Sequence, residues 1–220
     1  MLHLTGFMTF IILTGAVAWY APLVYRHRLV PAPATWIISL AAMDLSATAY
    51  HAIPDRTFIE NVTLYAAAFE ITIITTFIMI VLWRSGELRV AFDKVQWTCI
   101  FIMVMAILYW VTHRDDGGSK VTFWTTQVMM ISAYAATISR ALQRKEAFDS
   151  IGNWGLILLG SIVGSIPAIV MQSPYGMGNS VRAIVLSSIT VGLLIFLDKK
   201  NSWRRWDDEI TTLKSFYRLG

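Results

Sequence analysis

The sequence is poor in charge. Lys, Arg, Asp and Glu make up 15% of its 220 residues, against about 25% in ordinary soluble domains. With 56% hydrophobic residues and a mean hydropathy of +0.57, that shortfall excludes a soluble globular domain and a disordered chain alike. Cysteine is almost absent: Cys99, inside an apolar run, is the only one. An intrachain disulfide framework and a thiolate metal cluster are therefore excluded, and Cys99 reads as a small buried hydrophobe. The histidines, His3, His27, His51 and His113, stand on different segments with no metal-ligand spacing. HExxH, Walker and GxSxG motifs are missing, so no enzyme and no cofactor are expected. No lysine occupies the middle of the last apolar segment, where a retinal Schiff base would need one; Lys199 and Lys200 come at its end.

What is present is apolar length. A helix needs about 20 apolar residues to cross a bilayer, and seven segments approach this: 4–25, 33–53, 58–83, 95–113, 121–142, 153–172 and 179–198. The connections between them are short, which leaves no room for a receptor ectodomain. No Lys or Arg precedes the first segment, and Arg26 and Arg28 follow it, the reverse of a cleavable signal peptide.

The 18 basic residues fix an expected orientation. With the N-terminus outside, 14 fall in cytoplasmic regions and Arg56, Arg114, Lys120 and Arg182 fall outside. That is a strong positive-inside bias. The net charge of +4 is thus read as basic cytoplasmic loops, with the lipid bilayer rather than nucleic acid as partner. An integral, multi-pass chain with its N-terminus outside and its C-terminus cytoplasmic is expected.

The tail, 199–220, differs from the rest. Trp203, Trp206, Ile210, Leu213 and Tyr217 recur at helical spacing, and Lys199, Lys200, Arg204 and Arg205 stand near its start. This pattern predicts an amphipathic helix, lying on the anionic cytoplasmic leaflet or docking a partner.

The chain also carries an internal echo. AWYAPLVYRHR closes the first segment and SAYAATISRAL falls late in the fifth, which aligns Tyr20 with Tyr134, Pro22 with Ala136 and Arg26 with Arg140. A polar loop follows each, and then a segment opening with Trp36 or Trp154. Three helices are an odd number, so a directly fused copy would insert upside down; one extra helix restores a parallel copy. The expected organisation is all-α: a first three-helix bundle at 1–83, a linker helix with flanking loops at 84–120, a second bundle at 121–198, and the tail.

On these residues the chain resembles the PQ-loop superfamily, which includes the SWEET-like 3+1+3 carriers. Tyr20-Ala21-Pro22, the basic loop and Trp36 carry the resemblance, with Tyr134, Ala135, Ala136 and Trp154 as counterparts. The Pro-Gln dipeptide is absent, and Leu23 follows Pro22. The resemblance implies a small-solute transporter that works by alternating access between two bundles, with Pro22 as a hinge and homo-oligomers as a common state. Pro167, inside the sixth segment, is the second hinge candidate. The alternative is a non-transporting scaffold, sensor or assembly factor that acts through its tail.

Polar residues in mid-membrane supply the candidate site. Asp44 and Glu70 fall near the centres of the second and third segments, where a charge is costly and usually functional. Either they serve a proton- or cation-linked pathway for a small polar solute, or they are neutral acids bonded to neighbouring helices. Thr48 lies four residues from Asp44, and Gln127 and Ser188 are the nearest polar candidates from the second half. No metal site is expected. Gly160 and Gly164 form a GxxxG, a sign of close helix packing. Arg182 is expected at the outer start of the seventh helix, snorkelling to the headgroups or gating against Asp55 or Glu60.

Overall fold

The structure, a computed structural model, describes residues 1–29, 31–90, 92, 94–113, 115–144, 149–201 and 203–217. Arg114, Lys145 and Arg218 from the charge count, and the side chains of Ala136, Thr137 and Arg140 from the repeat, lie outside the described residues. The protein is all-helical, with no strand among the described residues. The helices are α1 (Leu2–Tyr25), α2 (Pro33–His51), α3 (Val62–Arg84), α4 (Lys94–Thr112), α5 (Asp116–Arg144), α6 (Ile151–Val170), α7 (Pro174–Lys200) and α8 (Arg204–Tyr217), with a 3₁₀ turn at Ile59–Asn61 before α3.

Four stretches have the length and apolar composition to cross a bilayer, which marks a membrane protein: α1, α3 with its 3₁₀ turn, α6 and α7. In hydrocarbon no water is available to the backbone, so a helix that satisfies its own N–H and C=O groups is the economical solution. Two helix starts carry a serine cap. The Ser150 hydroxyl accepts from the Asn153 amide at 3.0 Å, and Ser173 caps α7 with Pro174 at its first position. That cap starts α7 five residues before the expected 179. It therefore places Arg182 two turns inside the helix rather than at its mouth. α1 and α6 close with left-handed residues, His27 and Gln172. The next amides turn back to Leu23 and Ala168 carbonyls at 2.9 Å.

Packing is pairwise and specific. α3 packs on both α1 and α2, and α7 packs on both α6 and α5. α1 lies along α6, and α2 along α5. Among the described residues α4 touches only α5 and α2. The α1–α6 seam is close because of the GxxxG. A Cβ on Gly160 would crowd Leu13, and one on Gly164 would overlap Thr63 and crowd Thr9.

α8 folds back onto α1, α6 and α7. Its buried edge carries Glu209 and Thr212, one position from the apolar stripe, whose Trp206, Ile210 and Leu213 are half-buried. Asp198 caps this helix, accepting from the Arg205 and Trp206 amides at 2.8 and 3.0 Å. The end of the molecule where α8 docks is called the tail end below, and the opposite end, with the 52–61 and 171–176 connections, the far end.

Candidate functional site

Six helices enclose a cavity, with walls from α1, α2, α3, α5, α6 and α7 and none from α4 among the described residues. Its atom-free space, open solvent at its edge included, is about 910 Å³. Leu29, Pro31, Ala32 and Asp149 line it at the tail end. These are residues of the α1–α2 and α5–α6 connections, so the cavity extends to the tail end, and that end of it is called its mouth below.

Two aromatic pairs form walls near this mouth. Tyr20 meets Trp36 with ring centroids 5.5 Å apart, and Tyr134 meets Trp154 at 5.2 Å. All four line the cavity. The Trp154 indole also donates to Asp149 Oδ2 at 3.1 Å, which fixes the ring against the loop that opens α6.

The charged groups lie deeper. Glu70 on α3 is 3% exposed and its Oε1 has no hydrogen-bond partner. Arg182 on α7 is 9% exposed; Nη2 donates to Asn179 Oδ1 at 2.8 Å, while Nε and Nη1 have no partner. Both side chains line the cavity, and no ion pair joins them among the described residues. Each stands eight residues from its helix start at the far end, Val62 or Pro174. The starts are not level: Asn61 meets Asn179 and Thr63 meets Ser180, so Glu70 lies about five residues, roughly 7 Å, nearer the tail end than Arg182. Buried polar atoms are normally satisfied. Glu70 and Arg182, both incompletely bonded, thus stand on two of the helices that line this cavity.

The far end is closed. Tyr50, fully buried, sits among the rings of Tyr65, Phe123 and Tyr175 at centroid distances of 5.8 to 6.1 Å. Its hydroxyl donates to Glu60 Oε2 at 3.2 Å. Arg56 pairs with the same carboxylate at 3.4 Å and lies 5.1 Å above the Tyr175 ring. Beneath this lid, Asn179 Nδ2 donates to Asn61 Oδ1 at 3.2 Å. Gly176 permits the closure, because a Cβ there would overlap the Glu60 carbonyl.

The sequence-selected residues divide. Glu70 lines the cavity. Asp44 does not: it is exposed on the outer face of α2, in one stripe with Thr48 and His51. Thr48 donates to the Asp44 carbonyl of its own helix at 2.7 Å. Gln127 is buried outside the cavity lining, where its Nε2 donates to Ser46 at 2.7 Å and joins α5 to α2. Ser188 is exposed, and its neighbour Ser187 is the inward hydroxyl. Pro22 and Pro167 are both buried, each three residues from the end of its helix, one at the tail end and the other at the far end. Arg182 and Asn179, not selected from sequence as site residues, belong to the cavity.

At the tail end, α8 completes the surroundings of the mouth. Glu209 Oε2 accepts from the Trp19 indole, the Ser150 hydroxyl and the Gly152 amide, and Oε1 accepts from the Ile151 amide, all within 2.8–3.1 Å. The carboxylate thus sits at the N-terminus of α6, where amides and helix dipole favour an anion. Burial raises the pKa of Glu209 above its ordinary value, and the Trp19 indole, the two amides and Arg205 oppose that rise. Arg205 spans the rim, donating to the Asp149 carbonyl at 3.4 Å and the Arg28 carbonyl at 2.9 Å.

Comparison with protein-family models, curated proteins and solved structures finds no match. The functional argument therefore rests on the geometry.

Proposed function

We propose that the chain is a small-solute carrier of the PQ-loop and SWEET-like kind, working by alternating access between two three-helix bundles. All seven long helices cross the membrane in this reading, with the N-terminus outside and the C-terminus cytoplasmic. The observation that carries it is the cavity: six helices share its walls, it extends to the tail-end connections, and the Tyr50 cluster packs at the far end.

The packing supports the same reading. Exchange α1 for α5, α2 for α6 and α3 for α7. The α1–α6 seam then becomes α5–α2, and the neighbours of α3 become those of α7. The matched Tyr20–Trp36 and Tyr134–Trp154 pairs obey the same exchange. α4 remains outside, as a linker would. α2 and α5 cover one another and line the cavity, so they need less apolar surface than a lipid-exposed helix. Transport then consists of closing the mouth beside Asp149 while the Tyr50 lid opens. Glu70 is the group at which a proton or cation would be linked to the solute.

The tail-driven scaffold is less well supported, because the Glu209 edge of α8 is already engaged by α6. Counterflow in proteoliposomes tests the proposal. Vesicles preloaded with unlabelled solute should accumulate labelled solute transiently, and a carrier with Glu70→Gln should not. Absence of counterflow for amino acids, sugars, vitamins and amines alike would overturn it.

A further inference from the structure

We infer that α8 is a strap across the tail end: it travels with the second bundle, grips α1 of the first, and must let go of α1 before the bundles can move against each other. The inference rests on the two-bundle carrier reading and adds a control of its motion.

The attachment of α8 to its own bundle is rigid. α7 ends at Lys200 and α8 begins at Arg204. The buried Asp198 fixes the turn between them: its carbonyl accepts from the Trp203 amide at 2.9 Å, and its carboxylate from the Arg205 and Trp206 amides. Further along, the fully buried Glu209 takes the Ser150 hydroxyl and the Ile151 and Gly152 amides at the start of α6. Bonds to an ionised acceptor out of water are the strong kind.

The grip on α1 is of another kind. The Tyr217 hydroxyl donates to the Ala18 carbonyl at 2.8 Å, and Arg26 Nη1 to the Ser215 hydroxyl at 2.6 Å. The Arg26 guanidinium lies 5.7 Å from the Phe216 ring centroid, and Arg205 reaches the Arg28 carbonyl at 2.9 Å. Tyr217, Ala18 and Arg28 are exposed, so water replaces their bonds at small net cost. Trp19 belongs to both sets. Its indole donates to Glu209 at 2.9 Å, and its ring stacks on Trp206 with centroids 6.0 Å apart. A Cβ on Gly152 would overlap that ring, so Trp19 lies directly on the start of α6.

α8 has 14 residues, about 21 Å of stiff helix. It cannot follow α1 and α6 at once when their spacing at the tail end changes. The weaker set yields, because segments that open locally are those held by exposed hydrogen bonds and few buried contacts. α8 therefore leaves α1 together with α6 and α7, and its return restores the state described here.

The test uses the full-length protein on a Cys99→Ser background. Spin labels on cysteines replacing Thr14 and Lys214 report the α1–α8 distance, and labels replacing Leu159 and Lys214 the α6–α8 distance; all three positions are exposed. Arg26→Ala and Tyr217→Phe together remove two grip bonds, and the released population should rise about fivefold for each. A second, longer α1–α8 distance should then gain population while the α6–α8 distance stays single. An unchanged α1–α8 distance, or equal broadening of both distances, overturns the inference. In proteoliposomes, Ala18→Cys and Tyr217→Cys joined by a reducible thiol cross-linker should abolish counterflow, and reduction should restore it; the same pair carrying a monofunctional reagent is the control. Counterflow undiminished by the cross-link overturns the strap and leaves the carrier reading standing. If no solute shows counterflow even without the cross-link, the carrier reading falls, while the spin-label distances still decide whether α8 lets go of α1.

Discussion

Tyr134 packs against Trp154 with ring centroids 5.2 Å apart, and the Trp154 indole donates in turn to Asp149 at the mouth of the cavity. The pair ties α5 to α6 at the tail end of the cavity. Tyr20 and Trp36 form the corresponding contact between α1 and α2. Substituting Trp154 by Phe keeps the ring contact but leaves the buried Asp149 oxygen without that donor. Stability should fall by about 1–3 kcal/mol, the cost of an unsatisfied buried acceptor. Thermal unfolding in detergent reads this directly.

Tyr50→Phe removes the hydroxyl that holds Glu60 while preserving the aromatic cluster. Loss of one net hydrogen bond costs about 1 kcal/mol, which favours the open far end about fivefold. The expected outcome is faster solute exchange with overall stability reduced by no more than that amount. Exchange rates in proteoliposomes and a melting curve together separate opening from unfolding.

Asp44→Asn and Glu70→Gln should behave differently. Asp44 is on the outer face of α2, so its neutral variant should leave solute affinity within about twofold, as for other changes remote from a site. Glu70 lines the cavity, and its neutral variant should abolish counterflow. Parallel binding isotherms for the two variants check the contrast; equal losses would place the site elsewhere.

These two acids also show how far the sequence could be read. Both sit at the centre of an apolar segment, and that position alone selects them. Which one faces inward is a matter of helix rotation, and α2 is apolar on too many sides for periodicity to decide it. The same limit separates Ser187 from Ser188, neighbours 100° apart on α7. Arg182 was displaced for another reason: the Gly- and Asn-containing stretch before it reads as loop, although Ser173 followed by Pro174 is an ordinary helix start. The helical order and the tail helix were legible because they rest on length and spacing. The role of Glu209 was not. It stands in the acidic run Asp207-Asp208-Glu209, and nothing local distinguishes it from its solvated neighbours.

Glu209→Ala should release α8. The substitution leaves the Trp19 indole, the Ser150 hydroxyl and two α6 amides without their acceptor. Hydrogen bonds to charged groups contribute about 1.5–3 kcal/mol each, and the set acts as a unit rather than additively. The tail should become sensitive to trypsin at Arg204, Arg205 and Lys214, with the preceding helices still protected. Mass spectrometry of a brief digest identifies the cuts.

The central claim is that one cavity is reached from alternate ends, and accessibility of Ala67 tests it most directly. Ala67 is a half-buried wall residue one turn from Glu70. In an A67C variant on a Cys99→Ser background, a membrane-impermeant thiol reagent should label from the tail side in the resting protein. Labelling from the far side should rise when Tyr50→Phe is added, while labelling from the tail side falls. Equal labelling from both sides in the resting protein, or a Tyr50→Phe effect on one side without the opposite change on the other, would contradict alternating access.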